Sequence, residues 1–339
     1  MVPFWPQMSS QLKIKYIKRA LDHLFPHESH CTLCPHECGA DRRSEEKGFC
    51  ESGVNARLSH VGLHFGEEPV LSGYQNCSSE ILNKDTSHAG SGTLFFSGCN
   101  LKCLFCQNYQ LSWYNQGTNF SPVELASAIL SLQDQGALNI NLVSPMHFLI
   151  PILHSLELAY EQGLHLPIVY NTNAYEKVQT LNLLEGIIDI YLPDLKYFSS
   201  LVARTFSNKP DYFQYACLAI KEMYRQKPDL RFNDNEIAQE GLIIRHLVLP
   251  GMVKDSLKII DWIAENVSLS AGLSLMSQYF PCFRAPKAIQ KTLSSKEYCR
   301  SVEHAQKLGF ETLFIQPEPF EKEEHLNPDF DKKKPFKWS

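Results

Sequence analysis

The chain has 339 residues, of which 44% are hydrophobic and 20% charged, with a formal net charge of −5 at pH 7. This composition predicts a sizeable core, in about two domains or in one large α/β domain with an extension. The charge gives no basic footprint for nucleic acid, and no run approaches the roughly 18 apolar residues of a membrane span. Since no apolar signal-peptide region stands at the start, we expect a cytoplasmic protein that binds neither nucleic acid nor membrane.

The N-terminal region combines a helix with a cysteine cluster. Apolar residues at near-helical spacing predict an amphipathic helix over 11–25, which Pro26 ends. Four cysteines follow, and in a long chain without a signal peptide they indicate metal ligands: Cys31, Cys34, Cys38 and Cys50. They would form a closed structural zinc site or hold a second iron–sulfur cluster that relays electrons. Four unligated thiols are the alternative, and His36 is a further candidate ligand.

Residues 58–73 are rich in turn residues and contain the acidic pair Glu67-Glu68. Residues 74–89 read as an added polar loop whose single Cys77 we assign no ligand role. We therefore expect three regions: an N-terminal helix, metal-binding region and polar loop over 1–90, a core domain over 91–320, and a charged tail over 321–339. The tail contains proline and many charges, which favour an extended or disordered segment.

A second cysteine cluster follows the apolar strand predicted at 93–97. Cys99, Cys103 and Cys106 stand on a loop leaving that strand, where their thiolates can converge on one inorganic cluster. Iron–sulfur cubanes usually take four cysteines, so three leave one iron without a protein ligand. An open coordination position is typical of a reactive metal centre, and these three cysteines are our candidate catalytic residues. Unrelated core thiols are the alternative.

From residue 92 onward, predicted strands and helices alternate. This alternation predicts an α/β fold with parallel strands and crossover helices. The predicted strands are 93–97, 139–143, 166–170, 187–192, 242–249, 272–276 and 311–315, and the helices are 121–133 and segments near 149–162, 175–185, 211–226, 254–266 and 295–308.

The segment 92–112 resembles the signature of the radical S-adenosylmethionine (SAM) enzymes, in which the third cysteine follows an aromatic residue. The sequences at 99–103 and 106–108 are similar to those of the pyruvate formate-lyase activating enzyme branch, and the resemblance covers roughly residues 30–315. It implies a partial (βα)6 TIM-like barrel and a [4Fe-4S] cluster held by the three cysteines. It also implies that SAM chelates the fourth iron through its amino and carboxylate groups, with Phe105 near the adenine.

Polar residues follow the second and third predicted strands of the core. Ser144 follows the second, where the superfamily usually has a Gly-Gly-Glu-like segment that this chain lacks. Asn171 and Thr172 follow the third, where the activating enzymes often read Asp-Thr-Asn-Gly and hold a monovalent cation beside the SAM carboxylate. Because Asn171 replaces the acid, a cation site here would lose one negative charge.

Charged residues follow the fourth strand and interrupt the fifth. Asp194 and Lys196 match an Asp-x-Lys motif of the branch, in which the resemblance implies that Lys196 binds the SAM carboxylate; a surface ion pair is the alternative. Arg245 lies inside an apolar strand and must meet either an anion or a buried acid, because an unpaired buried charge is very costly. The resemblance implies that it approaches SAM. We interpret 278–281 as part of the substrate-side wall.

The resemblance implies an oxidoreductase that cleaves SAM reductively and uses the resulting 5′-deoxyadenosyl radical to abstract hydrogen. Its substrate would be a glycyl residue of a partner protein or, alternatively, a small molecule or cofactor precursor. A non-enzymatic iron–sulfur electron carrier is the third hypothesis, but such a carrier would not need polar groups at the strand ends. An enzyme of this type requires an electron donor such as flavodoxin or ferredoxin.

Overall fold

The computed structural model of the chain describes residues 8–44, 46–73, 90–316, 328–332 and 334–336. The predicted polar loop at 74–89, with Cys77, lies outside these residues, as does most of the predicted tail. Among the helices of the described residues, none is long and apolar enough to cross a membrane.

One open sheet organises the described residues. Its parallel strands follow the order β2-β4-β5-β6-β8-β9-β10, and β1 and then β3 extend it beyond β2 in antiparallel orientation. This confirms the predicted α/β fold and the seven predicted strands of the core. The strands are β1 Ala56–His64, β2 Ser91–Phe96, β3 Thr118–Phe120, β4 Ile140–Val143, β5 Ile168–Thr172, β6 Ile190–Pro193, β7 Arg231–Phe232, β8 Ala238–Leu247, β9 Gly272–Met276 and β10 Leu313–Ile315.

Crossover helices connect the parallel strands. A capping box opens α4 (Pro122–Asp134), since the hydroxyl of Ser121 accepts from the N–H of Glu124 at 3.3 Å and the Glu124 carboxylate accepts from the N–H of Ser121 at 2.8 Å. The helices are α1 Ser10–Leu24, α2 Pro69–Ser72, α3 Tyr109–Ser112, α4 Pro122–Asp134, α5 Leu149–Glu161, α6 Val178–Asn182, α7 Ser200–Ser207, α8 Tyr212–Gln226, α9 Val253–Asn266 and α10 Ser295–Leu308.

The two faces of the sheet bury different side chains. On the outer face, strand residues such as Tyr170 and Tyr191 join the apolar sides of the helices in one large core. On the inner face, a smaller cluster includes Val169, Leu192 and Ile243. Because side chains alternate along a strand, the residues two positions after these three also face inward at the carboxyl edge of the sheet.

Strand β1 was not predicted from the sequence. Its stretch reads as turns because it contains glycine, serine and histidine, and from Ser59 onward its residues are only half-buried. Part of the predicted tail covers this region: the ring of Phe336 lies 4.5 Å from that of His64 and 5.3 Å from that of Phe95. Phe330 is buried as well. Two aromatic residues of the described part of the tail therefore pack on the sheet, and the extended or disordered character of the tail as a whole stays a prediction.

The N-terminal cysteine region lies directly against the loop that carries Cys99. Gly98 has a backbone φ of +81°, and a methyl group on its Cα would lie 2.4 Å from the carbonyl oxygen of Cys50. Lys102 also pairs with Glu51 at 2.6 Å. A residue without a side chain is thus required where the two cysteine-bearing segments meet.

We expect Gly98→Ala to cost clearly more stability than Gly163→Ala. Both positions have a left-handed backbone, which costs about 1–2 kcal/mol for a residue with a side chain. Gly163 has open space around its Cα, whereas at Gly98 the methyl group meets backbone. The collision should add about 1–3 kcal/mol. Denaturant unfolding of both variants measures the difference, and equal losses would show that the two segments are not in contact there.

Candidate active site

The loop between β2 and α3 carries the three candidate catalytic cysteines. Cys103 is buried, and Cys99 and Cys106 are partly buried. Burial raises the pKa of the Cys99 and Cys106 thiols, that of Cys106 to about 12. Both thiols are therefore protonated near neutral pH until a metal displaces the proton.

Every one of the three sulfur atoms accepts at least one hydrogen bond. Such donors stabilise negative charge on a sulfur, which a metal-bound thiolate carries. The hydrogen bonds to sulfur are Leu101 N–H to Cys99 at 3.3 Å, Asn173 Nδ2 to Cys99 at 3.6 Å, Ser207 Oγ to Cys103 at 3.1 Å, Tyr197 OH to Cys103 at 3.4 Å and Ser112 Oγ to Cys106 at 3.2 Å. The sequence analysis identified none of these donors.

The chemistry of the donor set fits an iron–sulfur cluster. One buried and two partly buried thiols stand on a single loop, and each sulfur accepts a hydrogen bond. Cysteine thiolates are the usual ligands of such clusters, so Cys99, Cys103 and Cys106 are compatible with holding one. Within the described ranges, no group of three or more His, Cys, Asp or Glu side chains is arranged to hold a single metal ion.

Phe105 is buried among aromatic rings instead of standing at an open surface. Its ring makes edge contacts with Tyr197, Phe206 and Tyr279 at centroid distances of 6.4, 5.9 and 5.7 Å. These contacts fix the loop between Cys103 and Cys106. The position of Phe105 near an adenine stays a prediction.

Arg245 lies at the centre of the inner carboxyl edge. Its guanidinium donates to Asp194 at 2.9 Å, to Glu67 at 3.3 Å and to Asn171 Oδ1 at 2.6 Å. Of the two partners that the sequence allowed for Arg245, an anion or a buried acid, the structure therefore shows buried acids, Asp194 and Glu67. Glu67 comes from the acidic pair to which the sequence analysis gave no role in the site.

Burial and the neighbouring cations have opposite effects on the pKa values of the carboxyl groups at this edge. Burial alone would raise the pKa of Asp194, but Arg245 and Lys196 outweigh burial and hold that pKa below its usual value. For Glu67 and Glu68, burial dominates and raises the pKa in spite of the nearby Arg245. The two cations thus favour the ionised form of the Asp194 carboxyl group.

Lys196 lies beside Asp194, with Nζ 2.7 Å from the carboxylate. Burial disfavours its charge, but the carboxylate of Asp194 outweighs burial and raises the pKa of the lysine. The ammonium has three donors, and the ion pair with Asp194 uses one of them. Lys196 therefore keeps donors for an anion, and with a side chain 21% exposed it is not a surface residue.

Asn171 and Thr172 are neighbours in β5 but point to opposite faces of the sheet. Asn171 faces inward to Arg245, whereas the hydroxyl of Thr172 donates to Glu176 on the helix side. Tyr170 donates to the same carboxylate at 3.1 Å. Burial raises the pKa of Glu176 to about 7, although both hydroxyls partly oppose the shift. The structure therefore does not bring the Thr172 side chain together with the inner residues.

Ser144 directly follows β4, the strand that pairs with β5. Its N–H donates to the carbonyl oxygen of Asn171 at 2.8 Å, and its φ of +58° is left-handed, which is uncommon for a residue other than glycine. The turn positions its backbone beside β5. A contact of Ser144 with SAM stays a prediction.

Hydrogen bonds connect the cysteine loop with the charged strand ends. Asn173 donates to Cys99, and the hydroxyl of Tyr212 donates to the carbonyl oxygens of Asn173 at 3.0 Å and Asp194 at 2.7 Å. The N–H of Lys196 donates to the same tyrosine oxygen at 3.0 Å. Cys99 is thus linked by hydrogen bonds to the backbone that carries Asp194 and Lys196.

The N-terminal thiols share a buried guanidinium. Arg42 Nη2 donates to Cys31 Sγ at 3.1 Å and lies 3.9 Å from Cys50 Sγ. His36 is directed elsewhere, with Nε2 2.7 Å from the carbonyl oxygen of Asn100. In the described part of the chain, the four thiols do not surround one ion. The N-terminal metal site, in which Cys34 and Cys38 are the other ligands, stays a prediction.

No family model matches the chain. The uncharacterized protein MJ0674 of Methanocaldococcus jannaschii is 30% identical over 296 residues, which are 84% of this chain and 76% of the relative.

Three solved structures are similar to part of the chain. A domain of pyruvate-formate lyase-activating enzyme from Bacteroides vulgatus ATCC 8482 is 15% identical, with 47% of this chain and 86% of that chain covered and a TM-score of 0.34. SuiB of Streptococcus suis bound to S-adenosylmethionine is 16% identical, with coverages of 65% and 48% and a TM-score of 0.46. Methylornithine synthase (PylB) is 15% identical, with coverages of 64% and 60% and a TM-score of 0.43.

Proposed function

The chain belongs to the family of the archaeal protein MJ0674 and resembles the radical SAM superfamily, and from this premise we propose that it is a radical SAM oxidoreductase. One observation carries the proposal: the loop after β2 bears three hydrogen-bonded thiols, and hydrogen bonds of Asn173 and Tyr212 link Cys99 to the backbone of Asp194 and Lys196 at the neighbouring strand ends. Active sites of βα barrels are built at this edge of the sheet.

The residues of the chain have separate tasks in this proposal. Cys99, Cys103 and Cys106 would hold the [4Fe-4S] cluster, and the donors on their sulfurs would stabilise the negative charge of the thiolates. When bound, such a cluster supplies the one-electron reductive cleavage of SAM to methionine and a 5′-deoxyadenosyl radical. The protein contributes position and exclusion of water around this chemistry.

We assign the SAM carboxylate to Lys196 in preference to Arg245. The Arg245 guanidinium already has two carboxylate partners, Asp194 and Glu67, whereas the Lys196 ammonium pairs with Asp194 alone and has two donors left. Arg245 then acts by fixing Asp194 and Asn171 in place, and its predicted approach to SAM would use its two remaining N–H groups. The charged groups also argue against a mere electron carrier, which has no need of a cation poised beside its cluster.

The cysteine motif also indicates a class of substrate. The sequence at 99–108 is similar to the activating enzymes, and we propose a glycyl residue of a partner protein as the site of hydrogen abstraction. A small molecule or cofactor precursor is the alternative. A co-purifying protein that acquires a glycyl radical signal after reaction would support the first.

We expect Cys103→Ala to abolish SAM cleavage. Removing one thiolate from a three-ligand cluster leaves two irons without a protein ligand, so the cluster should not assemble. The measurement is 5′-deoxyadenosine formed by the anaerobically reconstituted and reduced protein. Cys299→Ala, at an exposed position on α10, is the matched control and should retain activity. Full activity of the Cys103 variant would contradict the assignment.

We expect a variant with alanine at 99, 103 and 106 to retain a metal at the N-terminal site. The thiols of Cys31, Cys34, Cys38 and Cys50 lie on a separate segment, so their ligand set is unchanged by these substitutions. Elemental analysis measures the content: about one zinc per chain indicates a closed structural site, and several irons indicate a cluster. Adding Cys31→Ser and Cys34→Ser should remove the metal. Absence of both zinc and iron from the first variant would end the N-terminal proposal.

A further inference from the structure

Cations and aromatic rings alternate in a row along the outside of the cysteine loop. Each cation of the row lies over at least one ring. The contacts are Lys209 Nζ over Phe49 at 4.4 Å, Lys102 Nζ over Phe49 at 5.4 Å and over Trp113 at 5.9 Å, Arg284 Cζ over Trp113 at 5.1 Å and over Phe283 at 4.9 Å, and Phe283 stacked on Tyr109 at 4.8 Å. We refer to these seven residues as the cation–aromatic row.

The row is attached to the backbone of the loop itself. Lys102 stands between two of the candidate ligands, and Trp113 Nε1 donates to the carbonyl oxygen of Cys103 at 2.9 Å. The N–H of Arg284 donates to the carbonyl oxygen of Leu104 at 3.0 Å. A molecule seated on the row would therefore be separated from the thiols by little more than the loop.

The row is accessible and carries excess positive charge. Arg284 is exposed, Phe49 is 37% exposed, and Tyr114, whose ring lies 5.8 Å from that of Phe283, is 61% exposed. Lys102 pairs with Glu51, but in the described ranges no carboxylate lies within ion-pair distance of Lys209 or Arg284. A local positive surface on a chain of net charge −5 is unexpected without a role.

The composition of the row is that of a protein interface more than of a solvated face. Trp, Tyr, Phe and Arg are enriched at interfaces, and Tyr, Trp and Arg dominate their binding energy. Cation–π contacts at exposed sites contribute only about 0.5–1 kcal/mol each. Fold stability alone is therefore a weak reason for five of them in succession.

We propose that the cation–aromatic row is the docking surface for an acidic one-electron donor protein. This inference rests on the proposed function, because the electron enters through the cluster that the adjacent loop would hold. Positive charge selects a negatively charged partner and raises the rate of encounter. In the step, the donor is oxidised by one electron and the cluster is reduced by one electron, with no bond formed or broken between the proteins.

The test measures reduction of the reconstituted cluster by stopped-flow absorbance, with fully reduced flavodoxin as the probe. Lys209→Glu/Arg284→Glu should lower the second-order rate constant by about tenfold or more, because charge reversal replaces steering by repulsion. The milder Lys209→Gln/Arg284→Gln should lie between this variant and the native protein. Rates of the native protein should fall steeply as salt rises.

Two controls separate docking from other effects. Lys15→Glu/Arg19→Glu makes the same change of charge at two exposed positions of α1 and should leave the rate within about twofold. Reduction by light and 5-deazaflavin, a small reductant, should be equal in all variants. Equal flavodoxin rates in the row variants and the native protein would overturn the inference, as would equal slowing with both reductants. Absence of cluster absorbance in the native protein would instead overturn the proposed function.

Discussion

The pairing of Arg245 with Asp194 and Glu67 is the constraint on which the inner edge of the sheet depends. The three side chains come from β8, the end of β6 and the segment before α2, and all three are largely removed from water. Removing one partner from a buried charge pair typically costs about 3–5 kcal/mol, because the remaining charge is left uncompensated. The carboxyl ends of these strands are therefore held in one geometry, and the orientation of Asp194 toward Lys196 follows from it.

This constraint extends to the thiols through neutral hydrogen bonds. The hydroxyl of Tyr212 accepts from the N–H of Lys196 and donates to the carbonyl oxygens of Asn173 and Asp194. The side chain of Asn173 in turn donates to Cys99. A buried network of this kind is rigid when all its members are paired. In the proposed enzyme, this rigidity holds the anion-binding lysine at a fixed distance from the cluster ligands, which positions a substrate that must contact both.

Local patterns in the sequence predicted the parallel strands and the cysteine loop. Buried strands such as β5 and β9 consist mainly of apolar residues, and the spacing of Cys99, Cys103 and Cys106 is a signal that needs no tertiary information. Strand β1 was not predicted because most of it is only half-buried and because histidines and a glycine interrupt its apolar residues. The role of Glu67 was also not predicted, because its partner Arg245 lies 178 residues away in the chain. Donors such as Ser207 become visible only when α7 is placed against the loop.

The central claim is that a cluster with one open iron position binds SAM at this site. Electron–nuclear double resonance of the reduced, reconstituted protein with SAM labelled by 15N in the amino group and 17O in the carboxylate tests it most directly. The account predicts hyperfine coupling of both labels to the cluster in the native protein, and loss of the 17O coupling or a large drop in SAM affinity in Lys196→Met. A reduced cluster that shows no coupling to either label while SAM is bound would contradict it.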